Sequence, residues 1–437
     1  MTLPHVLRWL VGLATSLVGY HVYLVTLAWV AVQTTTPVNV GLILVAGAIP
    51  QAVLLLVGGV FVDRIGPRAT IIASDLLRTL IMIVFAIVVA GGDVSPLLLA
   101  VLAVMFGLVD GFFLPAVNAA PRYLVSRDKI TRVVAAKTIV ARGAEFVGAP
   151  LGSWLLLVAS AVAAFYVNAA LFAVSIVFLA VTRMAIPRDD GRQDAPPGTH
   201  PDRPQSAGSV WADLRAGIGL IRGYRTLTTL LIVVFVTELG FSGPMMAGVP
   251  LLANETGWGV RTIGWVLGGF GLGAAAAASF LLWRKNVRNT GLVALSGLVG
   301  MGLSVLGLGL LPSLDISTSA AFTVAGFLGL TSGIGAGFYG TLVISAVLQL
   351  APAGQIGRVM GALSFANMSA VPITYALTGI VTEVSNARVP FLIGGLLMLL
   401  VSVVAFATPE MRRLAIAETD RSKQRSTQLP ATEDRHR

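Results

Sequence analysis

The sequence predicts an all-α integral membrane protein whose twelve transmembrane helices form two pseudo-symmetric six-helix bundles. Three observations carry that prediction. Of 437 residues, 56% are hydrophobic and only 11% are charged, whereas a soluble domain averages about 25% charged residues. Apolar runs of the roughly 20 residues that a spanning helix needs recur along nearly the whole chain. They are too long for an outer-membrane barrel, whose strands are alternating segments of about 10 residues. Finally, residues 187–208 are rich in Pro, Gly, Asp and Arg and cannot bury a core, so they read as a linker after the sixth run.

In order, the spans fall at 7–32, 38–60, 70–90, 95–118, 132–158, 161–183, 227–252, 260–283, 290–311, 318–347, 357–382 and 389–408. Span 1 follows Arg8 and could mimic a signal peptide, but it continues to about Val32 and further spans follow it. The links between spans 2 and 3 (Arg64, Arg68), 4 and 5 (Arg122, Arg127, Lys129) and 8 and 9 (Arg284, Lys285, Arg288) are basic. Links 1–2, 3–4, 5–6 and 9–10 hold no Lys or Arg. Positive charge on alternate links places both termini in the cytoplasm. Arg261 and Arg388 are the exceptions, each close to an acidic residue, Glu255 and Glu383.

Before span 7, Trp211, Leu214, Ile218, Ile221 and Tyr224 recur at helical spacing among Asp213, Arg215, Arg222 and Arg225. That pattern is an amphipathic helix on the membrane surface. The expected organisation is a first bundle over 1–183, a cytoplasmic linker with its helix over 184–225, a second bundle over 226–408 and a charged tail over 409–437. A faint repeat supports the halves: Lys137 precedes Pro150 in span 5 as Arg358 precedes Pro372 in span 11. Six plus six spans is the layout of a transporter with a midplane site between its halves.

Several function classes drop out. The net charge of +10 lies mostly in short links, without the interleaved aromatics of a nucleic-acid surface. With no cysteine, disulfides, thiolate metal sites and thiol catalysis are excluded. No nucleophile–base pair or metal cluster emerges, so neither an enzyme nor a cofactor is expected. Gly329, Gly333 and Gly337, like Gly264 and Gly268, repeat every fourth residue. Such spacing reads as close helix crossings, since no glycine cluster follows a strand or precedes Lys-Ser/Thr as in a phosphate loop.

Ionisable residues within spans mark candidate chemistry, because a charge in hydrocarbon costs at least about 2.5–3.5 kcal/mol on insertion scales. Five stand out: His21, Asp110, Arg142, Glu145 and Glu238. At 1.5 Å per residue, Asp110 and Arg142 lie at matching depth, roughly 14 and 15 Å from the cytoplasmic ends of consecutive helices. Arg142 and Glu145, three apart, share a face. An Asp110–Arg142–Glu145 cluster is therefore expected, either as functional chemistry or as an ion pair locking helix 4 to helix 5. Glu238 has no cation in its own span and is a candidate proton carrier; the alternative is a bond to a neighbouring hydroxyl. His21, between Tyr20 and Tyr23, reads first as a hydrogen-bonded packing residue and second as a proton relay. Spans 1, 4, 7 and 10 carry much of the polarity: Ser16, Tyr20, Tyr23, Asp110, Glu238, Thr331, Ser332 and Tyr339.

Between spans 2 and 3 the chain reads Gly59-Val-Phe-Val-Asp63-Arg64-Ile-Gly66-Pro-Arg68, a short charged turn at the membrane face. This pattern resembles the signature loop between helices 2 and 3 of the major facilitator superfamily of secondary transporters. Arg64 to Arg78 with Asp75, the Gly357–Gly361 start of span 11 and the helix before span 7 look most like the macrolide, siderophore and multidrug exporter branch. Gly148-Ala-Pro150-Leu-Gly152 weakly resembles the proline-containing motif of drug–proton antiporters.

That resemblance implies a monomeric, multi-pass protein of the bacterial inner membrane. It would export amphipathic small molecules by alternating access and proton antiport, in contact with membrane lipid. It also implies that helices 1, 4, 7 and 10 line the cavity, and that Asp63 meets the N-terminus of helix 11 and a nearby Arg, with Arg122 as candidate, to shut the cytoplasmic side. Departures are Pro67 at a usually basic position, the Asp-less second-half loop Trp283-Arg284-Lys285-Asn286, and a helix 4 that carries Asp110 where the family carries Arg. The other readings are a lipid or lysolipid translocator and a transporter-fold sensor without turnover.

Overall fold

The computed structural model describes residues 3–92, 94–182, 184, 225–284, 290–350 and 356–407. The linker, the amphipathic helix around Trp211–Tyr224 and the charged tail lie outside the described residues.

Twelve long helices run in chain order: α1 Leu3–Thr34, α2 Pro37–Ile65, α3 Pro67–Ala90, α4 Pro96–Ala119, α5 Ile130–Val158, α6 Ala161–Ala180, α7 starting with Arg225–Gly243, α8 Arg261–Trp283, α9 Thr290–Leu310, α10 Thr318–Leu350, α11 Ile356–Val384 and α12 Val389–Ala407. Helix α7 continues through a π-helical turn, Pro244–Gly248, into Val249–Glu255. Among the described residues, eleven regions satisfy length and hydropathy for crossing a membrane. The twelfth helix, α5, falls outside that count, and its first half carries Arg132, Lys137 and Arg142. Large apolar side chains such as Ile87, Leu97, Val177 and Leu400 point outward, as a lipid-facing surface requires.

The charged turn differs from its expected form. Helix α2 runs on to Ile65 and α3 begins at Pro67, so Asp63 and Arg64 belong to the last turn of α2. A single residue, Gly66, reverses the chain at φ +90°, a region that a side chain disfavours. Pro67 then fits the first helical position, where no N–H is needed.

The packing repeats with a shift of six helices. Helix α1 packs on α5 and α6 as α7 packs on α11 and α12; α2 packs on α4 as α8 packs on α10; α3 packs on α6 as α9 packs on α12. The halves meet through α2 with α11 and through α5 with α8. Small residues set these approaches. A Cβ at Gly329 or Gly333 of α10 would overlap the carbonyls of Val266 or Phe270 on α8, and one at Gly268 would come within 2.6 Å of Pro150 on α5. The four-residue glycine spacing is thus a packing device, as expected.

Candidate functional site

The first half buries an ion cluster. Asp75 and Arg78 of α3, 0% and 1% exposed, face Asp110 of α4, 4% exposed. Three residues apart on one helix, Asp75 and Arg78 share a face, and Arg78 Nη1 donates to Asp75 Oδ1 at 3.1 Å. Arg78 Nη2 donates to Asp110 Oδ1. Ser16 of α1 donates to Asp75 Oδ1 at 2.8 Å and Ser175 of α6 to Oδ2 at 2.7 Å. The guanidinium carbon of Arg78 stands 3.8 Å from the Phe113 ring centroid, a cation–π contact. Two carboxylates thus share one cation. Asp75 has both oxygens occupied, whereas Asp110 Oδ2 accepts no hydrogen bond from a described residue.

The expected Asp110–Arg142–Glu145 cluster is therefore divided. Arg142 Nη1 pairs with Glu145 Oε2 at 3.1 Å, its side chain 40% exposed, while Asp110 takes its cation from α3. Helix α4 packs mainly on α2 and α3, and α5 mainly on α1 and α8. Equal depth did not make α4 and α5 neighbours. Asp75 and Arg78 are the functional candidates missing from the five intramembrane charges singled out. Their signal was available: opposite charges three apart inside an apolar run.

His21 sits on α1 against α5, where a Cβ on Gly148 would lie 2.7 Å from its own Cβ, and its ring meets that of Tyr20 edge-on at 5.5 Å. Glu145 and Arg142 are its charged neighbours. In the second half, Glu238 of α7 accepts from Asn367 at 2.8 Å and from Ser242 at 2.5 Å, and no described cation pairs with it. The hydroxyl bond weighed from the sequence is present. The π-helical turn begins two residues beyond Ser242. Such turns often mark functional sites. Tyr339 of α10 donates to Thr237 at 3.4 Å.

A cavity lies between the halves. Tyr20, Tyr23, Gln51, Phe106, Asp110, Met246 and Tyr375 are among its walls, drawn from α1, α2, α4, the π turn of α7 and α11. Helices 1, 4, 7 and 10 were expected there; α2 and α11 take part in place of α10, and of the expected residues Tyr20, Tyr23 and Asp110 are on the wall while His21, Arg142, Glu145, Glu238 and Tyr339 are not. The cavity measures about 70 Å³. Space of that size holds several waters, each needing roughly 10–15 Å³.

The halves are sealed toward the end where α1 meets α2. There Gln33 donates to Asn254 at 2.7 Å, and the Val38 N–H donates to Glu383 Oε2 at 3.3 Å. A Cβ on Gly41 would lie 2.6 Å from the Tyr375 carbonyl oxygen, and one on Gly379 equally close to that of Pro37. Toward the α2–α3 end, Gly59, Gly143, Gly340 and Gly361 have nothing within 4 Å of an added Cβ. Asp63, Arg64 and Arg122 are exposed, and Asp63 forms no ion pair with any described residue. The expected Asp63–Arg122 contact is thus absent from this arrangement. Arg68 instead donates to the Leu179 and Ala180 carbonyls at 3.4 and 2.5 Å, where cations suit the end of helix α6.

Comparison with known proteins decides the family. The model of the Major Facilitator Superfamily matches residues 9–374 and 230–433, nearly the entire chain. The chain belongs to the Major Facilitator Superfamily. Two similar proteins are the uncharacterised MFS-type transporter YfiS of Bacillus subtilis, 25% identical over 89% of each chain, and the multidrug efflux pump Tap of Mycolicibacterium fortuitum, 25% identical over 92% of this chain and 95% of Tap. Among solved structures, a mutant of the nucleoside transporter NupG superposes with TM-score 0.68 at 12% identity, covering 92% of this chain and 98% of that one. The human organic anion transporter MFSD10 gives 0.63 at 18% identity, with the same coverage. At those identities the structures establish a shared fold alone.

Proposed function

We propose that this major facilitator protein exports amphipathic small molecules across a bacterial inner membrane, by alternating access in exchange for protons. The observation that carries the reading is the imbalance of buried charge. Asp75 and Asp110 share the single guanidinium of Arg78, and no described cation pairs with Glu238. Burying an uncompensated carboxylate is costly, so such a group holds a proton or finds a cationic partner. A carboxylate that alternates between those states as the cavity alternates between sides couples protons to cargo. The similarity to Tap supports an efflux role, and the basic α2–α3 and α4–α5 links favour a cytoplasmic position for that end. With that orientation the structure is closed to the outside.

Counterflow in proteoliposomes tests the reading. Preloaded substrate should accelerate uptake of label, a proton gradient should drive accumulation, and a sensor would show neither. Asp110→Asn and Glu238→Gln are each expected to lose at least about tenfold of gradient-driven transport, with Glu238→Gln keeping counterflow. If both variants pump as well as the parent, proton coupling through these residues is wrong.

Asp63 is assigned to the gate, engaged when the cytoplasmic end closes. A carboxylate at a helix N-terminus contributes about 0.3–1 kcal/mol, more when partly buried. Glu383 at the far end of α11 already makes the mirror-image contact, with the first turn of α2. Asp63→Asn should insert normally, as judged by yield and thermal melting, yet transport at a reduced rate. Normal efflux by that variant would remove the gate from the account.

A further inference from the structure

We propose that the corner where α4 ends and α5 begins is a docking site for the phosphodiester head group of an anionic phospholipid of the cytoplasmic leaflet, held by Lys137 and Asn118. The inference takes from the reading above only the cytoplasmic placement of this end; export is not needed for it.

Charge sets this corner apart. Residues 118–138 carry five cations, Arg122, Arg127, Lys129, Arg132 and Lys137, against one carboxylate, Asp128, a net +4. The corresponding stretch of the second half, 339–359, holds Arg358 alone. Asp128 accepts from Ser126 and has Lys129 and Arg132 as its charged neighbours. A basic link is what the positive-inside rule asks for. A cation set inside the following helix is more than it asks for, and Lys137 is such a cation. It lies seven residues beyond Ile130, roughly 10 Å along α5.

Lys137 is half-buried, and no carboxylate among the described residues pairs with it. Its Nζ donates to Asn118 Oδ1 of α4 at 2.6 Å. That bond uses one of three ammonium protons. It also fixes the amide, because an ammonium only donates and so must face the amide oxygen. Asn118 Nδ2 is left as a donor with no acceptor among the described residues. An ammonium and an amide from two helices thus present free N–H groups side by side, with no anion of the chain to receive them. A phosphodiester brings one negative charge and two acceptor oxygens, one for each donor.

The surroundings favour a lipid over a free anion. Val134, one turn before Lys137, is 40% exposed and Ile139 43%, so apolar surface flanks the ammonium. The lysine stem lies along such surface while its head reaches the head-group layer. Arg122 and Arg132, both exposed, add attraction toward an anionic leaflet. A free phosphate gains the charges and nothing from Val134 and Ile139. A phospholipid uses both.

Equilibrium binding to the purified full chain in detergent tests this without transport. The probes are fluorescent phosphatidylglycerol and phosphatidylcholine with the same acyl chains. Saturable binding of phosphatidylglycerol is expected, tighter than that of phosphatidylcholine and weakened by added salt. Lys137→Gln should lose about fivefold, the effect of one basic side chain at an anionic surface. Lys137→Arg should keep the preference. Arg284→Gln, which removes an exposed cation from the α8–α9 link, should bind like the parent. The comparison of the two lipids on the parent stands even if Lys137→Gln fails to fold. Equal binding of the two lipids overturns the proposal. So does undiminished binding by a folded Lys137→Gln, or an equal loss with Arg284→Gln. Displacement of the lipid by millimolar inorganic phosphate would make the corner a free-anion site and overturn the lipid assignment.

Discussion

Arg78→Ala is expected to be the most damaging single substitution in the membrane core. It leaves Asp75 and Asp110 buried at 0% and 4% exposure with no cation between them. Removing one partner of a buried ion pair costs about 3–5 kcal/mol. The cation–π contact with Phe113 is lost as well. The expected result is a sharp fall in the melting temperature of the detergent-purified protein. Arg78→Lys should be intermediate, because an ammonium keeps the charge but has no planar fork to bridge two carboxylates or stack on Phe113. Pairing Arg78→Ala with Asp75→Asn should recover part of the loss. An Arg78→Ala protein that melts with the parent would mean that the cluster contributes nothing to stability.

The second large effect is conformational. Gly41→Ala should drive the protein out of its present closure by one methyl group. The new Cβ would lie 2.6 Å from the Tyr375 carbonyl oxygen and 3.2 Å from the Gly379 Cα, both on α11 in the other half. The overlapping atoms are backbone, so relief comes from separating α2 and α11. Overpacking of this kind costs about 1–3 kcal/mol, which shifts a two-state equilibrium roughly 5- to 150-fold.

The chain has no cysteine, so a single reporter thiol can be read without background. Leu44→Cys sits one turn along α2 from Gly41 on the cavity wall. An impermeant thiol reagent applied from outside should label it faster in the Gly41→Ala background. Gly107→Ala serves as a contrast, since its Cβ would overlap the Gly47 carbonyl oxygen within the first half. That change should lower stability and leave the labelling rate alone. Unchanged labelling with Gly41→Ala would show that the α2–α11 approach does not hold the outer side shut.

The two predictions mark how far the sequence could be read. Asp110 and Glu238 stood out because any carboxylate in a long apolar run is conspicuous; Asp110 is buried and Glu238 half-buried. The Arg142–Glu145 pair was equally legible, since residues three apart on a helix share a face. Arg78 as the partner of Asp110 was not. Depth along a helix follows from counting residues, and by depth Arg142 was the better match. Which helices are neighbours, and which faces they turn to each other, depends on the glycine crossings and on the shift-by-six packing of the halves.

The charged turn shows the same division. Its Gly66-Pro67 pair announced a tight reversal, but only the folded chain shows one residue making it, with Asp63 still helical and exposed.

By itself, the sequence determined that the chain is a helical membrane protein and which family it resembles. Those properties follow from hydropathy, length and local turn chemistry, all of which act over short stretches of chain. Tertiary structure alone decided that Arg78 is shared by two carboxylates, that Asp110 faces the cavity, and that the halves are sealed at the α1–α2 end. Each of these joins residues distant in sequence, and such contacts are fixed by how whole helices pack.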